Sequence, residues 1–480
     1  MRINKPLLIT AILLTLSLFL PADRLDKDVD RGLASILPMD AYSYCKTLSS
    51  AQFAGRLTGH EGYTEAAKWA AEKFRQWKLK PINNEEGYLQ SYPSPYTIID
   101  EAEITLLLKE KEVALERETD FLPLLFSDSG DHTAELVFAG WGIHAPELGY
   151  DDYAGVEVKG KFILCFRGTP DPSDSHFEMY DHHRFRMKTA KEKGALGLFY
   201  IYPDPGANPN GDWIKDFTPA VMSEKAADML LKEKGTTSAD LKKRLSTQKK
   251  PSSFPLSSQI RFKVKSRHFP DGVGYNVVGY VEGPDLELRK ECLVIGGHFD
   301  HCGHHFGLLF AGANDNASGS AVVMEIAEAF SKLRKKPKRS VVFVLFGGEE
   351  MGLMGSEYFA SHLPSQFKKV DSMFNFDMVG EGEGTTCVHS AEPEGFKDVL
   401  KAADEQVKTL RQTSLIRGVG VRSSDYAPFF LKGAHCAAFF SNGPHLHYHK
   451  TGDTIYRINP DMMADIARLA FLCGHAWANR

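Results

Sequence analysis

The 480-residue sequence has seven cysteines, Cys45, Cys165, Cys292, Cys302, Cys387, Cys436 and Cys473, scattered without CxxC spacing. Their odd number and spacing argue against a disulfide framework and a thiolate zinc site, leaving room for at most an isolated disulfide. An excess of one charge sign is missing too: 57 Lys and Arg stand against 62 Asp and Glu, a formal net charge of -5. Nothing in that balance advertises nucleic acid or anionic lipid as a partner. There is no internal repeat and no long low-complexity tract. The uncharged stretch from Leu7 to Leu20 is shorter than the roughly 17–25 residues of a spanning helix.

That short stretch follows Arg2 and Lys5 and precedes Pro21, Ala22 and Asp23. It reads as a secretory leader over residues 1–22, which implies export to a periplasmic or extracellular location, with no stable membrane insertion after cleavage. An uncleaved membrane anchor is the alternative. No cysteine follows the run, so lipoprotein processing is not supported. The remaining chain, with 43% hydrophobic, 25% charged and 11% aromatic residues overall, has the composition of an ordinary globular protein of two to four domains. It carries no signature of oligomeric state.

From Asp40 to Leu79 the apolar residues Ala66, Ala67, Trp69, Ala70, Phe74 and Trp77 recur at helical spacing after the glycines Gly55, Gly59 and Gly62, which predicts an amphipathic helix packed on a sheet. Between about Leu115 and Phe254 short strands such as AELVFAGWGI and GKFILCFRG alternate with Gly, Pro and Asp clusters, the texture of a separate β-rich module. After Gln259 apolar strands alternate with helices over 317–333, 355–362, 395–410 and 460–477. This predicts an α/β fold with a mostly parallel or mixed sheet covered by helices on both faces. The basic run KLRKKPKR, Lys332 to Arg339, sits between a helix and a buried strand and reads as a solvated helix end.

Ligands in open α/β sheets gather beyond the carboxyl ends of the strands, and here those ends are polar. CLVIGGHFDH delivers His298 and Asp300, AGANDNASG places Asp315, VVFVLFGGEE ends in Glu349 and Glu350, and MFNFDMVG presents Asp377. HLHYHKTGDT offers His445, His447 and His449. Carboxylates gathered so closely repel one another unless cations neutralise them. Nitrogen and oxygen donors without sulfur suit zinc, with manganese or cobalt as substitutes. Adjacent Glu349 and Glu350 point in different directions, so one can hold metal while its neighbour acts as general base. Asp300, two residues after His298, is placed to accept that histidine's second N–H.

The motifs GGHFDH, GANDNASG, FGGEEMGLMGS, FNFDMVG and YHKTGDT resemble, in order, the co-catalytic di-zinc aminopeptidases of the bacterial leucyl aminopeptidase and aminopeptidase Y type, relatives of glutamate carboxypeptidase. The resemblance implies a zinc exopeptidase-like catalytic domain in two segments, 23–114 and 256–480. The stretch VFAGWGIHAPELGYDDYAGVEVKGKFILCFRG is similar to a protease-associated domain, expected over 115–255. Carried over, the family pattern implies two zinc ions. His298 and Asp377 complete one site, Glu350 and His449 the other, and Asp315 bridges. Glu349 becomes the general base, Asp300 the support of His298, and Tyr448 a candidate donor to the oxyanion. In SSDYAPFF, Ser424 and Asp425 are kept but Tyr426 replaces the family's histidine, which bears on substrate contacts alone.

The activity this implies is removal of N-terminal residues from peptide substrates by metal-activated water. A carboxypeptidase or dipeptidase of the glutamate carboxypeptidase type is the alternative, with Arg417 and Arg422 as cations for a substrate carboxylate. A receptor-like ectodomain without catalysis is the third reading, opposed by the complete ligand set. The inserted module is expected to narrow the approach to the metals.

Overall fold

The computed structural model describes residues 26–82, 87–391 and 395–480. The expected leader, residues 1–22, lies outside the described residues. Among them, no helix is long and apolar enough to cross a membrane, and all seven cysteines are buried free thiols.

The chain builds two large sheets. At the centre of the nine-stranded one, Val341–Phe346, Glu291–His298, Lys369–Phe376 and His435–Ser441 lie side by side and parallel. Antiparallel strands flank this block, Val273–Val281 on one side and Thr385–His389 on the other. The run VVFVLF explains why the centre is buried on both faces. Every one of its residues is buried, and because side chains alternate across a strand, Val341, Phe343 and Leu345 enter one core while Val342, Val344 and Phe346 enter another. Helices Pro38–Leu48, Glu61–Gln76, Gly319–Lys332 and Pro460–Ala478 contribute to the first core. Phe359 of Met354–Ser361 and Phe429 of Ala427–Leu431 pack into the second. Each fully buried aromatic or aliphatic side chain contributes roughly 1.5–3 kcal/mol, so these layers fix the strand ends that carry the polar residues.

The predicted segment 40–79 is two helices joined by an irregular turn at Ala51–Arg56, where Ala54, Gly55 and Arg56 all have positive φ. Past the helix Phe396–Val407 lies a strand, Leu410–Leu415, inconspicuous in the sequence because it is polar and mostly exposed at the sheet edge. The basic run behaves as a helix end: the Lys336 ammonium donates to the carbonyls of Phe330 and Ser331.

The second sheet has eight strands and lies between Pro93 and Val273 in the chain. Its limits differ from the expected 115–255. Tyr96–Leu107 and Ser253–Phe269 pair antiparallel from Tyr96↔Phe269 to Leu107↔Gln259, so the chain enters and leaves this unit along one ribbon. The outgoing strand alternates buried and exposed residues, with Arg261, Lys263 and Lys265 on the exposed side. Its charged texture is that of a sheet with one wet face. Arg267 and Lys263 pair across the ribbon with Asp100 and Glu101. The unit is also less purely β than its sequence suggests. Gly130–Ala139, Phe162–Phe166, Gly197–Tyr202 and Ala220–Ser223 are parallel, with helices His183–Glu192 and Glu224–Leu231 packed against them.

Candidate metal centre

The four parallel strands of the first sheet all deliver their polar residues at the same edge. His298 closes its strand, Asp377 follows Phe376, and Glu349 and Glu350 follow Phe346 after two glycines. A side chain at Gly347 would run into the Tyr63 hydroxyl, and Gly348 turns the chain with φ +66°, so the glycine pair makes the tight exit that brings both glutamates inward. Asp315 comes from the turn Ala313–Ser318 that leads into the helix Gly319–Lys332. His449, with φ 57°, lies in the long loop after Ser441.

These residues converge on two triads, His298–Asp315–Asp377 and Asp315–Glu350–His449, whose ligand atoms lie within 4.8 Å of one another in each. His298 Nε2 is 3.4 Å from Asp315 Oδ1 and 3.3 Å from Asp377 Oδ1. His449 Nε2 is 3.2 Å from Asp315 Oδ2 and 2.9 Å from Glu350 Oε2. Asp315 thus offers one oxygen to each triad. Asp315 Oδ2 and His449 Nε2 are buried and have no hydrogen-bond partner. Orphaned buried ligand atoms facing each other fit a pair of dications, and the nitrogen and oxygen donor set fits zinc.

Glu349 lies outside both triads, with Oε2 4.0 Å from His298 Nε2. Burial, with the Asp377 and Glu350 carboxylates beside it, pushes its carboxyl well above the usual range, while His298 pulls the other way. Burial acts against the charged form of His298, but the carboxylates of Glu349 and Asp377 outweigh it and hold the imidazole's pKa well above its ordinary value. For Glu350 burial acts upward, and the nearby His449 and His301 overcome it and hold the carboxyl well below the ordinary range. Each shift combines burial with the charges packed beside the group, carboxylates for His298 and Glu349 and histidines for Glu350.

His298 Nδ1 faces Asp300, 3.3 Å from its main-chain carbonyl and 3.6 Å from its carboxylate. The carboxylate accepts the main-chain N–H groups of Glu349 and Glu350 at 3.2 and 3.3 Å, because the GGEE exit passes directly over it. Asp300 therefore orients the glutamate pair. Tyr448 stacks on the His449 ring, centroids 3.8 Å apart, and is half exposed, so its contact in the fold is the imidazole face.

Other residues close the site. Asp453, in the same YHKTGDT segment, accepts the main-chain N–H groups of Asn314 and Asp315 at 2.8 and 2.9 Å and so aims Asp315. His301 Nδ1 lies 2.7 Å from Glu350 Oε1. Ser424 donates to Asp377 Oδ2 at 2.7 Å and accepts from Asn375 at 2.8 Å. The buried Arg56 guanidinium ties the carbonyls of Leu48, Phe299, Ala311 and Gly312 together beneath the loops. Cys302 forms a further cluster with His301 and Glu350, their ligand atoms within 4.8 Å of one another, and burial raises its thiol well above the ordinary range. His445 faces Asn314 and the Ser441 carbonyl, a loop role, and Arg417 and Arg422 are exposed at the turn Gly418–Arg422.

A cleft of about 610 Å³ is lined by both units, with the segment that follows the glutamate pair, and not the pair itself, in its wall. Met351 and Met354 line it from the first sheet's unit, and Phe126, Arg184 and Trp213 line it from the second.

This constellation at the carboxyl edge of a mixed sheet is that of a metallopeptidase. Residues 276–473 match the family model of Peptidase family M28. It is 25% identical to aminopeptidase YwaD of Bacillus subtilis over 434 residues, covering 88% of this chain and 81% of that protein. Its fold is similar to that of an aminopeptidase from Aneurinibacillus sp. strain AM-1, with a TM-score of 0.65, 20% identity and coverage of 93% of this chain and 95% of that one. It is also similar to BSAP, a zinc aminopeptidase from Bacillus subtilis, with a TM-score of 0.60, 20% identity and coverage of 92% and 95%.

Proposed function

We propose that this peptidase is an aminopeptidase that works with two zinc ions, one held by His298 and Asp377, the other by Glu350 and His449, with Asp315 shared. The observation that carries the reading is the pair of triads meeting at Asp315, with buried ligand atoms that nothing in the protein satisfies. The zinc aminopeptidase BSAP, similar across nearly the whole chain, supports both the metal and the activity. Zinc bound there supplies a Lewis acid for the scissile carbonyl and lowers the pKa of a bound water.

The chain's own residues do the rest. The Glu349 carboxylate takes a proton from the attacking water and later delivers it to the leaving amine. Asp300 holds the main chain of Glu349 and Glu350, so base and ligand keep a fixed relation. Asp453 and Ser424 fix the carboxylates of Asp315 and Asp377 in the same way. The inserted unit forms one wall of the cleft and narrows the approach, which favours short peptides. Export through the leader belongs to this proposal, and the N-terminal sequence of secreted protein tests it: a mature chain still carrying Leu7–Leu20 counts against cleavage.

Glu349→Ala should lower kcat by about 10²–10⁴-fold while zinc stays at two per chain. Wild-type turnover in that variant overturns the assignment of the base. Aminoacyl anilides with a free amine should be cleaved and their N-acylated forms should not. Equal cleavage of both rejects the aminopeptidase reading.

A further inference from the structure

The loop that carries His449 is gripped by the inserted unit. His449 Nδ1 lies 2.7 Å from the main-chain carbonyl of Ala207, and the Ala207 N–H donates back to the His449 carbonyl at 2.9 Å. A carbonyl oxygen can only accept, so this contact places the imidazole proton on Nδ1 and leaves Nε2 facing Asp315 and Glu350. Two residues further along, the Thr451 N–H and hydroxyl both donate to the Glu118 carboxylate at 3.0 Å. Between them Lys450 pairs with Asp204. Ala207, Glu118 and Asp204 all belong to the inserted unit.

The same unit reaches the other ligand of that triad. Arg184 donates to the Met351 carbonyl at 2.9 Å, directly after Glu350, and is itself held by Asn210 at 2.7 Å and Asp212 at 2.8 Å. The segment 204–212 thus spans from the His449 loop to the Glu350 loop. The side-chain contacts of His298 and Asp377 themselves are, by contrast, made within the first sheet's unit, and the inserted unit touches the segment after His298 further along, at Cys302, His305 and Phe306.

We infer that the inserted unit is a working part of one of the two metal sites: it sets the tautomer and position of His449 and thereby the affinity of the Glu350–His449 ion, leaving the His298–Asp377 ion to the catalytic sheet. Glu118, Asp204 and Arg184 are positioning residues that act through the main chain of the ligand loops. The inference rests on the two-ion reading above. It assigns the insertion a role in metal retention separate from any effect on substrate size.

The test is zinc affinity measured by chelator competition, with kcat and KM measured in parallel, on the whole protein. The double variant Glu118→Ala, Asp204→Ala should weaken one of the two zinc ions by about 10–100-fold, the range for residues that orient a metal ligand, and leave the other within two-fold. Turnover should return when excess zinc is added, with KM unchanged. Glu118→Gln, which keeps an acceptor oxygen for Thr451, should restore most of the affinity. Asp171→Ala, which breaks the Lys249–Asp171 pair elsewhere in the inserted unit, should leave both ions unaffected. Unchanged affinity for both ions in the double variant, or equal weakening of both, overturns the inference. Fewer than two zinc ions in the wild-type protein overturns the two-ion reading itself.

Discussion

Asp152 and Asp315 are both buried carboxylates in turns, Asp315 in the first sheet's unit and Asp152 in the inserted one, and their surroundings are opposite. Asp152 is fully buried and fully occupied: Oδ2 accepts the main-chain N–H groups of Trp141 and Ile143 at 3.0 and 3.1 Å, and Oδ1 accepts the Tyr150 hydroxyl at 3.0 Å. Burial lifts its carboxyl to about 7 against the pull of those donors. The Asp315 main-chain N–H donates to Asp453, but its Oδ2 has no hydrogen-bond partner and faces a histidine nitrogen and another carboxylate. Two aspartates of equal burial thus divide by what meets their oxygens. Donors from the chain mark a carboxylate that holds a turn, and a ring of further acceptors marks one that awaits a cation.

The comparison breaks most sharply in the two alanine variants. Asp315→Ala should bring zinc below one ion per chain by metal analysis and take activity to the detection limit, with cooperative unfolding retained. Asp152→Ala should do the reverse, keeping two zinc ions while losing roughly 3 kcal/mol of stability, read as a lower midpoint in denaturant. If Asp152→Ala lost metal in the folded state, the division would fail.

A smaller effect belongs to Ser424, which donates to a candidate ligand from outside the triad. Ser424→Ala should weaken the His298–Asp377 ion by about 10–100-fold and spare the other, the mirror image of the Glu118 variants in the same chelator titration. Loss of the Glu350–His449 ion instead would show that Ser424 acts elsewhere.

The smallest effect sharpens the class of carboxyls with too few donors and no metal. Glu325, buried in the helix Gly319–Lys332, accepts one N–H from Leu37, and its Oε1 has no partner. Burial raises its carboxyl to about 8 from 4.5. The folded chain therefore keeps a proton that the unfolded chain releases between those values, and stability falls as pH rises through that window. Glu325→Gln should melt a few degrees above wild type near pH 9 and with it near pH 4. Equal melting at both pH values would mean that Glu325 ionises normally.

Four of the five candidate ligands were legible because each stands near a strand end or just before a helix, where apolar patterning makes a lone Asp, Glu or His conspicuous, while His449 stands in the loop after Ser441. His298, Asp377 and the glutamate pair follow runs such as VVFVLF, and the structure brings them together. The residues that aim them were hidden for a physical reason. Ala207 acts through its carbonyl, which every residue has, and Glu118 and Asp204 act through loops whose partners lie more than 200 positions away. Asp453 and His301 stood inside quoted motifs, yet nothing in their spacing said that one holds the Asp315 turn and the other touches Glu350. The ribbon 96–107 with 253–269 was lost to its charges, since an alternation of Lys and Arg with apolar residues announces one wet face and not which sheet owns it.

That ribbon also bears on the order of folding. The strands Leu89–Pro93 and Val273–Val281 pair in the first sheet although about 180 residues separate them. Closing a flexible loop of that length costs an entropy that grows as (3/2)RT ln n, so replacing it by a few residues lowers the cost by about 3 kcal/mol. Once Tyr96 meets Phe269, the detour is already closed. Folding of the insertion then acts as a clasp that presents the two halves of the catalytic sheet to each other, and in pulsed hydrogen exchange the amides of Ser253–Phe269 should gain protection before those of Val273–Val281.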